Sequence, residues 1–94
     1  MIKETQGKRI ADGEWPENLG EYSKHQIEKQ SGEKNIVWFC IPPKAGIGCG
    51  SLSAHTVVEH EDSTITVSPS ILFNADSRTS GWHGYLEKGI WREC

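Results

Sequence analysis

Residues 36–41, Ile36-Val37-Trp38-Phe39-Cys40-Ile41, form an unbroken run of β-branched and aromatic side chains that stops at Pro42-Pro43. A run this short, bounded by breakers, predicts a strand buried on both faces rather than a helix. The segments downstream of it have the same β character. Lys44 to Gly50 is a Gly-rich loop, and a second strand is expected over Ser51 to Val58. After a polar turn at Glu59-His60-Glu61-Asp62-Ser63, Thr64-Ile65-Thr66-Val67 alternates with period two, and Pro69 to Phe73 resumes after a break at Ser68-Pro69. A polar loop, Asn74 to Gly81, leads to a hairpin over Trp82 to Arg92 that turns at Glu87-Lys88-Gly89. The expected fold class is mainly β, with α+β as the variant. A small antiparallel sheet domain spans residues 34–94 and ends in a C-terminal hairpin.

Residues 1–33 read differently. Ala11 to Asn18 is rich in turn residues, with Trp15 as its single large apolar anchor. It predicts a flexible arm; the alternative is that Trp15 docks on the main body or on a partner. Glu21 to Gln30 reads as a short helix with a sparse apolar face, Tyr22 and Ile27, stopped by Ser31-Gly32. His25 on that helix is expected at the surface. Trp38, Phe39, Phe73, Trp82, Tyr85 and Trp91 are expected to form the core.

The 94 residues are 35% hydrophobic and 24% charged, which suits one small domain with a thin core. The net charge of −3 is spread along the chain, 13 acids against 10 bases, with no basic block. Phosphate binding depends on clustered cations, so nucleic-acid binding is disfavoured and stays only as a weak alternative. No apolar run approaches the ~20 residues of a membrane span. Met1 to Gly7 lacks the apolar stretch of a secretory signal, which predicts a cytoplasmic location.

Three cysteines fit a closed disulfide framework poorly. Cys40 and Cys49 could pair if oxidised, but in a reducing compartment thiols more often serve metals or catalysis. Cys40 ends a strand and Cys49 lies between Gly48 and Gly50. His83 and Cys94 fall across from each other if the last hairpin turns where expected. Cys40, Cys49, His83 and Cys94 are therefore the candidate ligands of a structural zinc site, three thiolates and one imidazole. A metal staple suits a domain short of core, because binding free energy becomes folding free energy. The alternative makes Cys40 a small buried hydrophobe, Cys49 a loop thiol and Cys94 an exposed end residue. His55 and His60 form a rival set: His60 with Glu59, Glu61 and Asp62 could hold a hard cation or simply make a solvated turn. A thiol enzyme would use Cys49 with His83 or His55, oriented by Asp76. The glycines match neither a P-loop nor a dinucleotide fingerprint.

The segments Ser68-Pro69-Ser70-Ile71-Leu72, Gly81-Trp82-His83-Gly84-Tyr85-Leu86 and Gly89-Ile90-Trp91 resemble a family of small uncharacterised phage and prophage proteins. Its members carry a Pro-Ser-Ile element, then a Trp-His-Gly or Ser-His-Phe element leading into a hairpin. An upstream Cys and Cys-Gly pair is matched by Cys40 and Cys49-Gly50. The resemblance covers residues 37–94. It departs in the longer Cys40–Cys49 spacing and in lacking a Trp-rich strand before the Thr66-Val67-Ser68-Pro69-Ser70-Ile71 run. It implies phage origin and action inside a bacterial host. The expected function is a non-enzymatic accessory protein that binds a host protein and counters a host defence or regulatory factor. A metal-dependent or thiol-based small enzyme is the alternative.

Overall fold

The computed structural model describes residues 3–75, 77 and 81–94, and among them it contains nine strands and no helix. These are β1 (Lys3–Gln6), β2 (Lys8–Arg9), β3 (Glu21–Glu28), β4 (Lys34–Cys40), β5 (Gly50–Ser51), β6 (Thr56–Glu59), β7 (Ile65–Phe73), β8 (Trp82–Glu87) and β9 (Ile90–Glu93). They form a five-stranded sheet in the order β1-β9-β8-β7-β6 and a four-stranded sheet in the order β2-β3-β4-β5. All neighbours are antiparallel except β2 and β3.

The two sheets bury their inner faces against each other. Ile65, Val67, Ile71, Trp82, Leu86 and Trp91 come from the larger sheet. Tyr22, Trp38 and Cys40 meet them from the smaller one, and Ile47 and Leu52 close the gap from the segments around β5. Trp82 and Trp91 pack edge to face at 5.3 Å between centroids, a geometry favoured by the ring quadrupole. The core is compact enough to bury Trp91 completely.

The C-terminal hairpin turns as its sequence predicts. Glu87 pairs with Ile90, and Lys88 and Gly89 both have positive φ, 47° and 78°. Two consecutive left-handed residues make a turn whose twist matches that of the strands, and Gly supplies the second at no steric cost. The expected break at Ser68-Pro69 is a register shift within a single strand, β7, where the peptide bond is cis. The strand expected over Ser51 to Val58 divides into β5 and β6.

Two expectations are corrected. The segment Glu21 to Glu28 is a strand, not a helix, and it pairs with β4 from Tyr22↔Cys40 to Glu28↔Lys34. A short helix anchored by Tyr22 and Ile27 would be marginal, whereas pairing with the strongly β-forming 36–41 run satisfies its backbone groups. Ser31-Gly32 closes a hairpin: Lys29 N–H donates to Glu33 O at 2.8 Å and Gly32 N–H to Lys29 O at 2.9 Å. The other correction concerns the core, since Tyr85 is 43% exposed on the outer face of the larger sheet, and Ile36 is 54% exposed at the far end of β4.

Residues 3–28 are built into both sheets. β1 lies along β9, and β2 lies along β3. The crossing between sheets occurs at Gly7, whose N–H donates to Gly89 O at 2.8 Å. A Cβ there would stand 2.6 Å from the same oxygen, so only glycine lets the backbones meet.

Candidate functional site

The four expected zinc ligands fall into two pairs. Cys94 N–H donates to His83 O at 2.9 Å, one step beyond Gly84↔Glu93, so the two residues sit opposite each other as the hairpin register predicts. Both are exposed, and His83 Nε2 lies 3.0 Å from Ser70 Oγ. Cys40 belongs to the smaller sheet and is fully buried in the core, opposite Gly50 and close to exposed Cys49. Burial pushes the Cys40 thiol up to about 12, with a smaller contribution from Cys49, and burial also raises Cys49. Among the described residues, no group of three or more His, Cys, Asp or Glu gathers around a common point.

The thiol–imidazole enzyme would need a depressed thiol. The shift at Cys49 runs the other way, and Asp76 lies outside the described residues. The acidic turn is otherwise engaged. Glu59 accepts from Arg9 at 2.7 Å and from Lys24 at 3.1 Å, which hold its carboxyl below the usual range. Asp62 accepts from both the N–H and the hydroxyl of Thr64. His60 Nε2 lies 2.6 Å from Thr66 Oγ1. Arg9 and Lys24 also lie over the Trp38 ring, at 5.0 and 5.7 Å. This cluster joins β6 to the other sheet.

His25 is a correction of another kind: it is 7% exposed, not at the surface. It projects from the outer face of the smaller sheet and is covered by the loop before β3. Its ring lies 4.2 Å from Trp15 and 5.0 Å from Phe39, and Trp15 meets Phe39 edge to face at 4.8 Å. The carbonyl of Glu14 accepts from Ser23 Oγ–H at 2.6 Å and lies 3.0 Å from His25 Nε2. A carbonyl can only accept, so Nε2 carries a proton towards it. Ser23 Oγ is also 3.0 Å from Nε2. A Nε2 that already holds its proton cannot act as base to that serine. The pair fastens the loop.

The loop's second fastening is Glu21. Its carboxylate accepts from the N–H groups of Glu17 and Asn18, both at 2.9 Å, and from Asn18 Nδ2 at 3.2 Å, which lowers its pKa. Trp15 itself remains 58% exposed and Leu19 52%. A cleft of about 300 Å3 opens beside the indole, lined by Ile10, Glu14, Trp15, Glu17, Asn18 and Glu21. Of the two readings of this segment, a flexible arm or a docked Trp15, the docked one describes the indole, which lies against His25 and Phe39, while His25 and Ser23 carried no sequence signal as its supports. Their spacing of two was legible only once the segment was known to be a strand, where alternate residues share a face.

No described helix is long and apolar enough to cross a membrane. In comparison with known proteins, the chain matches no family model, no curated protein and no solved structure.

Proposed function

We propose that this chain is a non-enzymatic phage or prophage accessory protein that binds a host protein, with Trp15 as the central contact. The observation that carries the binding reading is a large aromatic side chain held by two rings and a hydrogen-bonded loop yet more than half exposed. Tryptophans that are ordered before binding lose little freedom on contact, and they dominate interface energetics. The phage assignment rests on the Pro-Ser-Ile and Trp-His-Gly resemblance. Countering a host defence or regulatory factor is the role that fits small size and host action.

The test is affinity purification from bacterial cells expressing the wild type beside Trp15→Ala. A stoichiometric host protein captured by the wild type and lost in the variant supports the reading. Capture that is equal in both, or no stoichiometric partner, overturns it.

A zinc staple is a second reading, favoured at His83 and Cys94 alone of the expected set Cys40, Cys49, His83 and Cys94: those two face each other across the hairpin, while Cys40 lies in the core on the other sheet. Metal analysis of protein purified without chelator decides it. One zinc per chain, lost in Cys94→Ser, supports the staple, and metal-free wild type removes it.

A further inference from the structure

The loop that carries Trp15 turns its donors inward. The N–H groups of Glu17 and Asn18 and one hydrogen of Asn18 Nδ2 all go to the Glu21 carboxylate. The cleft beside the indole is left rich in acceptors. Exposed Glu14 and Glu17 bring two carboxylates to its lining, and neither makes an ion pair among the described residues. Glu21, only 7% exposed, is the third. A carboxylate has about four lone-pair sites. Oε1 of Glu21 takes both N–H groups, whereas Oε2 holds only the contact from Asn18 Nδ2 at 3.2 Å. Among the described residues no cation pairs with Glu21; Lys8, its register partner on β2, acts on it from farther away.

Hydrogen bonds compensate part of the cost of burying that charge, and a cation arriving from outside would compensate more of it. The walls select the kind of cation. Ile10 and the Trp15 ring, 58% exposed, give the cleft an apolar and aromatic side. A charge carried on an apolar stem gains contact with both, and indole is the best aromatic partner for a positive charge. A guanidinium suits the site better than an ammonium, because its planar fork stacks on an indole and donates to two carboxylates at once.

We propose that this cleft takes an arginine side chain of the partner protein, stacked on Trp15 with its guanidinium on the Glu14, Glu17 and Glu21 carboxylates. Trp15 is then the partner contact of the reading above, on which this assignment rests, and the partner's surface is basic. The net charge of −3 favours the approach of such a surface. A second copy of this chain is the poorer occupant, since its described arginines are already paired, Arg9 with Asp12 and Glu59 and Arg92 with Glu4.

The probes are capped pentapeptides, glycine throughout except for a central arginine, lysine or citrulline, titrated to about 10 mM. Citrulline keeps the shape of arginine and removes its charge. The Trp15 indole N–H and the Glu17 and Asn18 amides are followed by NMR. The arginine peptide should shift all three signals, bind about threefold tighter than the lysine peptide and about tenfold tighter than the citrulline one. The double variant Glu14→Gln/Glu17→Gln changes two exposed side chains and leaves the fastenings of the loop in place; in it, affinity should fall about tenfold. No shift of these signals, lysine or citrulline binding as tightly as arginine, or undiminished binding in the double variant overturns the assignment. Shifts that follow protein concentration without peptide overturn it in favour of a second copy. The double variant also separates this assignment from the broader reading. A host protein lost with Trp15→Ala but captured undiminished by the double variant keeps Trp15 as the contact and overturns the arginine. Arginine-selective binding with no host protein captured keeps the specificity of the cleft and overturns the host-protein reading.

Discussion

The indole Nε1–H of Trp91 donates to the carbonyl of Gly20 at 2.9 Å, tying the larger sheet to the segment that enters β3 in the smaller one. The two residues are 71 positions apart, and Trp91 is fully buried. The same carbonyl accepts from Lys8 N–H at 3.0 Å, so it joins β2, the entry to β3 and the larger sheet at one oxygen and keeps one donor if the indole is lost.

Trp91→Phe removes one of the two hydrogen bonds to Gly20 O and should destabilise the domain by about 0.5–1.5 kcal/mol while leaving its aromatic packing largely in place. Trp91→Ala should cost about 3–5 kcal/mol through the cavity it leaves. Urea unfolding followed by tryptophan fluorescence or circular dichroism checks both. Equal stability of Trp91→Phe and wild type would show that the Gly20 bond is idle.

Gly7→Ala should destabilise by about 1–3 kcal/mol, because the new Cβ is driven into backbone rather than into a yielding side chain. Its nearest neighbours are Gly89 O at 2.6 Å and Trp91 Nε1 at 3.0 Å. Gly48→Ala, where a Cβ meets nothing within 4 Å, should stay within about 0.5 kcal/mol of wild type. The contrast in melting temperature between the two variants is the measurement.

Acid should weaken the fold through Glu21. Its carboxyl is held below the ordinary range by the N–H groups of Glu17 and Asn18, then by the Asn18 side chain. A carboxyl depressed in the folded state stabilises above its unfolded pKa of about 4.3 and loses that contribution as pH falls through the folded value. Stability should be flat above roughly pH 5 and decline below it. In Glu21→Gln the decline should be shallower. Melting temperatures across the acid range test this, and parallel curves for the two proteins would remove Glu21 from the account.

Thiol chemistry should separate the three cysteines. Cys40 is buried and pushed up to about 12, whereas Cys49 and Cys94 are exposed. A native-state titration with a thiol reagent should modify Cys49 and Cys94 and reach Cys40 only on unfolding. Rapid labelling of Cys40 in the native protein would contradict its burial.

Much of residues 34–94 was legible because local signals agree there. The 36–41 run, the alternation at Ile65 and Val67, and the Lys88-Gly89 turn each fix a local conformation by short-range sterics and patterning. The hairpin register that sets Cys94 opposite His83 followed from that turn alone. Residues 1–33 were not legible in the same way. Tyr22, Ser23, Lys24 and His25 have no strong β signal of their own. Their partners, Cys40, Phe39, Trp38 and Val37, are supplied from across a hairpin.

Local sequence alone makes this chain a small β domain with a two-residue C-terminal turn, because β-branched runs, breakers and a positive-φ glycine act within a few residues. Long-range packing makes Glu21 to Glu28 a strand, buries His25 and holds Trp15 while leaving it exposed. It also sets Cys40 in the core, away from the outer face where His83 lies. Those outcomes depend on which sheet, and which face of it, each residue joins. That choice is made by burial and backbone pairing between distant segments, which no local pattern encodes.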